Sequence, residues 1–256
     1  MTDTGKSPVS IIVVVISPIT TMEYTQDLSS LETRLGHVFK DRAHLLEAIT
    51  HRSYLNENPS FPHPHNERLE FLGDAVLELI VTEHLFRNFA NPEGELTNWR
   101  AALVNAKTLA GIANQLKFEE FLLMSRGEAK DANSKARMYI LANAIEAIIG
   151  GIYMDGGMKP SEKFIHTHIL SHLEFILKNE LYIDPKSKFQ ETAQEMLGIT
   201  PSYKVLKEEG PDHAKDFTVG VFLGTEMVAT GTGTSKQEAQ VSAAEAGLEA
   251  KGWKGK

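Results

Sequence analysis

The sequence predicts an all-helical domain followed by a small α+β domain with the element order α-β-β-β-α. Apolar residues recur at helical spacing through most of the chain before Asp184, whereas beyond it one helix, three strand-like segments and a last helix follow. Asp184-Pro185-Lys186-Ser187 stands at the change and is rich in turn-forming residues. We therefore predict four units: a flexible extension (1–25), a helical domain (26–182), a linker (183–187) and an α+β domain (188–252).

Composition narrows the class of protein. The chain has 256 residues, no cysteine and a formal net charge of −8. Disulfides, thiolate metal sites and thiol catalysis are therefore excluded, and a cytoplasmic location is expected. The acidic excess falls in residues 1–184, and the near-neutral remainder could meet phosphate only through a local basic patch.

The start of the chain differs from the rest. Ser10–Ser17 is apolar but too short to span a bilayer, and no small-residue cleavage site follows it. We expect no membrane association and place this segment in the flexible extension, with Met22 as an alternative start.

The first predicted helices run from Leu28 to His51, with a break near Gly36–Asp41. Asn56–His65 holds three prolines and is predicted to be a loop. The helix after this loop opens with Asn66–Asp74, in which three carboxylates lie at positions i, i+3 and i+7. They are Glu67, Glu70 and Asp74.

These spacings place the three carboxylates on one face of a helix. The residues around them are so apolar that we expect the helix to be largely buried. Buried carboxylates are costly unless basic partners or a cation neutralise them. These residues alone do not decide between basic partners and a bound cation.

A second apolar helix, Ile140–Gly151, carries Asn143 and Glu146 at i and i+3. If the two helices face each other, four oxygen-bearing side chains can surround one point. They are Glu70, Asp74, Asn143 and Glu146. Ligation by oxygen alone suits a hard cation such as Mg²⁺.

Between these helices, Leu96–Leu116 is predicted to be one helix and Ser125–Arg137 an exposed connection. Glu93 lies just before the predicted helix Leu96–Leu116, and a negative charge near the start of a helix is favoured. The connection carries four cations that could meet phosphate or simply be solvated: Arg126, Lys130, Lys135 and Arg137. A further helix is predicted at Phe164–Leu181.

Beyond the linker, turn residues separate elements of alternating pattern. The predicted elements are a helix at Lys188–Leu197, strands at Ser202–Glu208, Phe217–Leu223 and Met227–Thr234, and a helix at Lys236–Glu249. Ser235 is expected to cap the last helix.

These motifs together resemble a known family. Asn66–Asp74 resembles the signature stretch of bacterial ribonuclease III, Ile140–Gly151 its second acidic motif, and Thr50-His51-Arg52-Ser53 a further element of it. Lys188–Ala250 resembles a double-stranded-RNA-binding domain. The matching pieces there are Phe189-Gln190-Glu191, Pro201-Ser202-Tyr203, Gly210-Pro211-Asp212-His213 and Gly231-Thr232-Gly233-Thr234-Ser235-Lys236.

The resemblance implies an all-α endonuclease domain that homodimerises and a C-terminal domain that reads the shape of double-stranded RNA. It implies Mg²⁺-dependent cleavage to 5′-phosphate and 3′-hydroxyl ends, with Mn²⁺ as an alternative ion, in the processing of ribosomal, messenger and other precursor RNA. The implied catalytic metal ligands are Glu70, Asp74 and Glu146, with Asn143 as a weaker ligand and Glu67 and Glu93 as accessory acids. The implied RNA-binding residues are Gln190, Glu191, Gln194, His213, Ser235, Lys236, Gln237 and Gln240.

Two departures from the family pattern leave alternatives open. Asn143 stands where the family usually has an aspartate, and its amide oxygen can ligate a cation without bringing charge. A non-catalytic protein that binds double-stranded RNA is therefore the alternative function. In addition, Gln237 and Gln240 occupy positions that are often cationic, which predicts weaker and less salt-sensitive RNA binding. For Glu67, a structural salt bridge remains the alternative to an accessory role.

Overall fold

The computed structural model describes residues 27–130, 134–211 and 215–253. The predicted extension, with Met22, and the predicted RNA-binding residue His213 lie outside these ranges. Ten helices precede the linker region in the described part of the chain, with two 3₁₀ turns at Phe118–Phe121 and Leu170–His172. The helices are α1 (Ser29–Leu35), α2 (Arg42–Ala48), α3 (Arg52–Glu57), α4 (Glu67–Asn88), α5 (Glu93–Val104), α6 (Ala106–Gln115), α7 (Arg126–Lys130), α8 (Lys135–Gly156), α9 (Met158–His168) and α10 (Leu173–Lys178).

Helix α8 forms the centre of the helical domain. Its isoleucine- and alanine-rich sequence is buried on nearly every side, against α4, α6 and α2. Among the described helices it alone is long and apolar enough to cross a membrane by length and composition, but 61% of its most apolar window is buried inside the fold. We therefore interpret α8 as a core helix.

Helix α4 is less buried than its sequence predicts. One face packs into the core through residues such as Leu77 and Val81. The side chains of Phe71, Leu79 and Phe86, however, are 82%, 54% and 77% exposed. The prediction of a largely buried helix is wrong for this face, because the remaining helices leave it uncovered.

Two predicted helices are interrupted. Leu96–Leu116 divides at Asn105, whose side chain accepts a 2.9 Å hydrogen bond from the Thr108 amide and caps α6. Phe164–Leu181 divides into the end of α9, a 3₁₀ turn and α10. No proline or glycine marks this second break, so apolar periodicity alone predicts a continuous helix there.

The predicted exposed connection before α8 contains the short helix α7, and one of its cations is buried. Arg137 is 5% exposed, and its Nη2 lies 3.0 Å from Glu119 Oε1 and donates to the Ala129 carbonyl oxygen. The prediction that Arg137 could meet phosphate is therefore wrong, because its guanidinium binds protein groups instead.

The C-terminal domain has the predicted order α-β-β-β-α. Its elements are α11 (Pro185–Leu197), β1 (Ser202–Glu209), β2 (Asp216–Leu223), β3 (Glu226–Gly233) and α12 (Lys236–Ala250). The three strands form one antiparallel sheet in the order β1-β2-β3, and the two helices pack against a core that includes Phe189, Val219 and Trp253. A Cβ on Gly231 would lie 2.1 Å from the Ala243 nitrogen, so only glycine lets β3 approach the last helix this closely.

Helix α11 begins at Pro185, earlier than the predicted start at Lys188. The Asp184 carboxylate accepts a 3.0 Å hydrogen bond from the Ser187 amide and caps the helix, with proline at its first turn. Residues 185–187 of the predicted linker thus form the first turn of α11.

Candidate active site

Two glycines bring α4 and α8 together at the acidic motifs. A Cβ on Gly73 would lie 1.7 Å from the Glu146 carbonyl oxygen, and one on Gly150 would lie 2.2 Å from the Leu69 carbonyl oxygen. The two backbones therefore almost touch, which no larger residue would permit at either position. Because Gly73 directly precedes Asp74, this crossing fixes the carboxylates of α4 beside those of α8.

The environment of Glu146 shows how close these groups are. Its side chain is partly buried on α8, and burial is the main cause that raises the pKa of its carboxyl to about 7. The negative charges of Asp74, Glu70 and Glu78 raise this pKa further. Glu146 thus ionises in a site that is already negative.

The environment of Glu70 includes the amide of Asn143. Burial raises the pKa of the Glu70 carboxyl, a hydrogen bond from the Asn143 side chain opposes this, and the charges of Glu67 and Asp74 raise it. The four predicted ligands therefore lie near enough at the crossing of α4 and α8 to influence one another's charge, without forming a closed cluster. They are Glu70, Asp74, Asn143 and Glu146.

Basic side chains neutralise both ends of the acidic face of α4. Glu67 lies 3.4 Å from Arg52 Nη1 and 3.7 Å from His65 Nδ1. Glu78, at the other end, lies 2.9 Å from Arg100 Nε. Glu67 therefore makes the salt bridge that its sequence position left open, with Arg52 of α3.

The three carboxylates between these ends have no such partner. Within the described ranges, no Lys, Arg or His nitrogen lies within 4.0 Å of Glu70, Asp74 or Glu146. Nor do three acidic or histidine side chains of those ranges converge in a preformed metal-binding cluster. Three carboxylates and one amide oxygen nevertheless fit the donor set of a hard divalent ion.

The predicted accessory residue Glu93 lies apart from this cluster. It is exposed at the start of α5, in a groove that Phe86 and Arg100 also line. It is not among the charges that shift the pKa of Glu70 or Glu146.

Sequence reasoning missed Glu78 as a member of the acidic face. It follows Asp74 by four residues, so the same helical spacing that selected Glu70 and Asp74 could have found it. Its ion pair with Arg100 distinguishes it from the three unpaired carboxylates.

The predicted RNA-binding residues within the described ranges lie on the two helices of the C-terminal domain or cap them. Gln190, Glu191 and Gln194 are exposed along α11, and Lys236 and Gln237 are exposed in the first turn of α12. The Ser235 hydroxyl accepts a hydrogen bond of 3.2 Å from the Glu238 amide, so it caps α12 as predicted. Gln240 is partly buried, and its side-chain oxygen accepts a hydrogen bond from Lys186.

A helical domain with an unneutralised carboxylate cluster, joined to an α-β-β-β-α domain, defines an endoribonuclease directed at double-stranded RNA. Comparison with known proteins agrees: a family model described as ribonuclease-III-like matches residues 41–173, and one described as a double-stranded RNA binding motif matches residues 185–251. The chain belongs to the ribonuclease III family and is an endoribonuclease of that type.

Similar proteins support this assignment over most of the chain. Ribonuclease 3 of Carboxydothermus hydrogenoformans is 44% identical over 225 residues, covering 88% of this chain and 95% of the relative. Ribonuclease 3 of Protochlamydia amoebophila is 40% identical, covering 84% and 88%. A solved nuclease domain of ribonuclease III from Campylobacter jejuni is 42% identical, with a TM-score of 0.51, and covers 57% of this chain and 97% of that domain.

Proposed function

We propose that this protein hydrolyses double-stranded RNA in a Mg²⁺-dependent reaction that leaves 5′-phosphate and 3′-hydroxyl ends. The observation that carries the proposal is the cluster of Glu70, Asp74 and Glu146, which has no basic partner among the described residues. A cation is the remaining way to neutralise carboxylates at such a site. The attached double-stranded-RNA-binding motif supplies the substrate class.

The proposed ligands are these three carboxylates and, as a neutral fourth, the amide oxygen of Asn143. The bound ion would activate water and stabilise charge on the scissile phosphate. Glu146 must be ionised to bind the ion, and its raised pKa means that binding releases a proton near neutral pH. Glu67 and Glu93 keep accessory roles, Glu67 in the position set by Arg52 and His65.

The cellular setting follows the family expectation. We place the activity in the cytoplasm, in the maturation of ribosomal, messenger and other precursor RNA.

A gel of end-labelled duplex RNA, incubated with Mg²⁺ or with a chelator, tests the proposal. Cleavage only with Mg²⁺ supports it. Binding without cleavage at any Mg²⁺ or Mn²⁺ concentration would favour the alternative, a non-catalytic protein whose site has degenerated at Asn143.

The same assay with Asn143 variants distinguishes the effect of an added negative charge from the effect of the ligating oxygen. We expect Asn143→Asp to shift the Mg²⁺ titration about tenfold lower, because one added carboxylate changes metal affinity by about 1–2 kcal/mol. Asn143→Ala removes the oxygen and also the hydrogen bond to Glu70, so it should require more Mg²⁺ than wild type. If the Asp variant gains nothing and the Ala variant matches wild type, Asn143 is not a ligand.

We further propose that the protein is a homodimer formed through the exposed face of α4. Phe71, Leu79 and Phe86 form an apolar stripe along this helix, beside its acidic face. A structure of the Campylobacter jejuni nuclease domain is described as flexible in a region involved in dimer formation. Pairing across the stripe would place two acidic clusters near a shared valley.

Phe71→Asp should convert the dimer to a monomer at micromolar concentration. A central interface aromatic contributes about 2–4 kcal/mol, and a two-fold interface contains two copies of it. Sedimentation velocity measures the change. Phe175→Asp is the matched control, because Phe175 is also exposed (61%) but lies on α10. Equal sedimentation of wild type and Phe71→Asp would contradict the proposed interface.

A further inference from the structure

A lysine of α11 lies beside the first two turns of α12, which carry the predicted RNA-binding residues Lys236, Gln237 and Gln240. Lys186 Nζ donates a 2.7 Å hydrogen bond to the Gln240 side-chain oxygen. The same ammonium lies 5.2 Å from the centre of the Tyr203 ring. These two contacts, from α12 and β1, hold the charge of Lys186 between the two helices.

This placement matters because α12 itself has few cations. Lys236 is the only basic residue in its first two turns, and Gln237 and Gln240 are neutral. Lys236 and Gln240 are four residues apart and so share one face of the helix. The Lys186 ammonium therefore adds a positive charge to this face of α12, at the position of Gln240.

The charge of Lys186 is also uncompensated. No carboxylate oxygen of the described residues lies within 4.0 Å of its Nζ, whereas several lysines of the same domain are paired with a carboxylate. The paired lysines are Lys188 with Glu180, Lys207 with Glu209, Lys215 with Glu208 and Lys251 with Glu226. Lys186 thus keeps a positive charge that a polyanion can neutralise.

We propose that Lys186 binds an RNA phosphate and supplies, from α11, the cation that α12 lacks at Gln240. Gln240 acts as a positioning residue, because its amide oxygen accepts from the ammonium. A lysine at position 240 would instead place a second ammonium against the first. This inference rests on the proposed binding of double-stranded RNA.

The test is fluorescence anisotropy of a labelled RNA duplex with the full chain, in chelator to prevent cleavage, over a series of salt concentrations. Each phosphate contact contributes about 0.9 to the slope of log affinity against log salt. Lys186→Gln should therefore reduce the slope by about 0.9 and the affinity near 0.15 M salt about fivefold. Lys186→Arg keeps the cation and should restore the wild-type slope.

Lys204→Gln is the matched control. Lys204 also stacks on a ring, 5.0 Å from the centre of Phe222. Its neighbour Tyr203 packs against the core, so strand alternation directs Lys204 to the sheet face away from the helices. Its removal should leave the slope unchanged.

Three results would overturn the inference. A lower affinity of Lys186→Gln with an unchanged slope would indicate a structural role. Equal slope changes in the Lys186 and Lys204 variants would indicate a general charge effect. Failure of the wild-type chain to bind any duplex would contradict the proposed function and this inference together. This outcome is recognised because none of the variants would then bind the duplex either.

Discussion

Glu146→Gln should reduce cleavage of duplex RNA by about two to three orders of magnitude while leaving duplex affinity unchanged. Glutamine keeps the size of the side chain and removes the charge at the crossing of α4 and α8. Loss of one preorganised electrostatic contact commonly has an effect of about this size on catalysis. Affinity should survive, because the proposed RNA-binding residues belong to α11 and α12 and not to the helices that carry the carboxylates.

The same substitution should change how stability depends on pH. The pKa of Glu146 is raised from 4.5 to about 7 in the folded chain, so folding favours its protonated form. Ionisation of Glu146 therefore destabilises the folded chain. This effect is absent below pH 4.5, develops as pH rises toward 7, and stays constant above that. Without metal, Glu146→Gln should be more stable than wild type at pH 8 and equal to it near pH 4.

Thermal unfolding with and without Mg²⁺ measures this effect. Mg²⁺ should stabilise wild type more at pH 8 than at pH 5, and should stabilise the Gln variant little at either pH. Glu78→Gln is the matched control, because Glu78 lies on the same acidic face but is paired with Arg100, and we expect it to retain most cleavage. A Glu146→Gln protein that cuts at nearly the wild-type rate would show that the site is assigned wrongly.

Gly73→Ala should destabilise the helical domain by several kcal/mol. Its Cβ would lie 1.7 Å from the Glu146 carbonyl oxygen, 2.6 Å from the carbon of the same carbonyl and 2.8 Å from the Gly150 nitrogen. All three are backbone atoms, so the helices must separate. Overpacking of a core costs about 1–3 kcal/mol even when side chains can yield. The higher helix propensity of alanine returns only about 1 kcal/mol.

Gly111→Ala should have the opposite effect on the stability of the same domain. Gly111 lies inside α6, and a Cβ there meets nothing within 4 Å, so alanine should stabilise the domain by up to about 1 kcal/mol. Urea unfolding of both variants gives the free energies. Where Gly73→Ala still folds, it should also need more Mg²⁺ for cleavage, because separation of the helices moves Asp74 away from Glu146. A Gly73→Ala protein as stable as wild type would rule out this close crossing.

Much of the fold was predictable because it depends on local signals. The alternation of β2 and β3, the cap at Ser235 and the periodicity of α4 and α8 are all carried by neighbouring residues. The helix break after His168 has no such signal, and it was missed. The start of α11 at Pro185 had one, the Asp-Pro pair, but its capping role became clear only from the hydrogen bond of Asp184.

The candidate site was predictable to the level of residue types. The spacing of Glu67, Glu70 and Asp74 placed them on one helix face, but it could not tell which would be paired. That distinction depends on Arg52, which approaches Glu67 from α3.

The sequence by itself therefore determined the helical class of the first domain, the α-β-β-β-α order of the second and the family, and it selected the four oxygen-bearing side chains of the candidate site. Only the tertiary structure decided which carboxylates lack a counter-ion, that Phe71 faces outward, and that Lys186 meets Gln240 across 54 residues of sequence. The physical reason is the range of the interactions. Helical periodicity and capping arise between residues a few positions apart, whereas burial and ion pairing depend on contacts between distant segments.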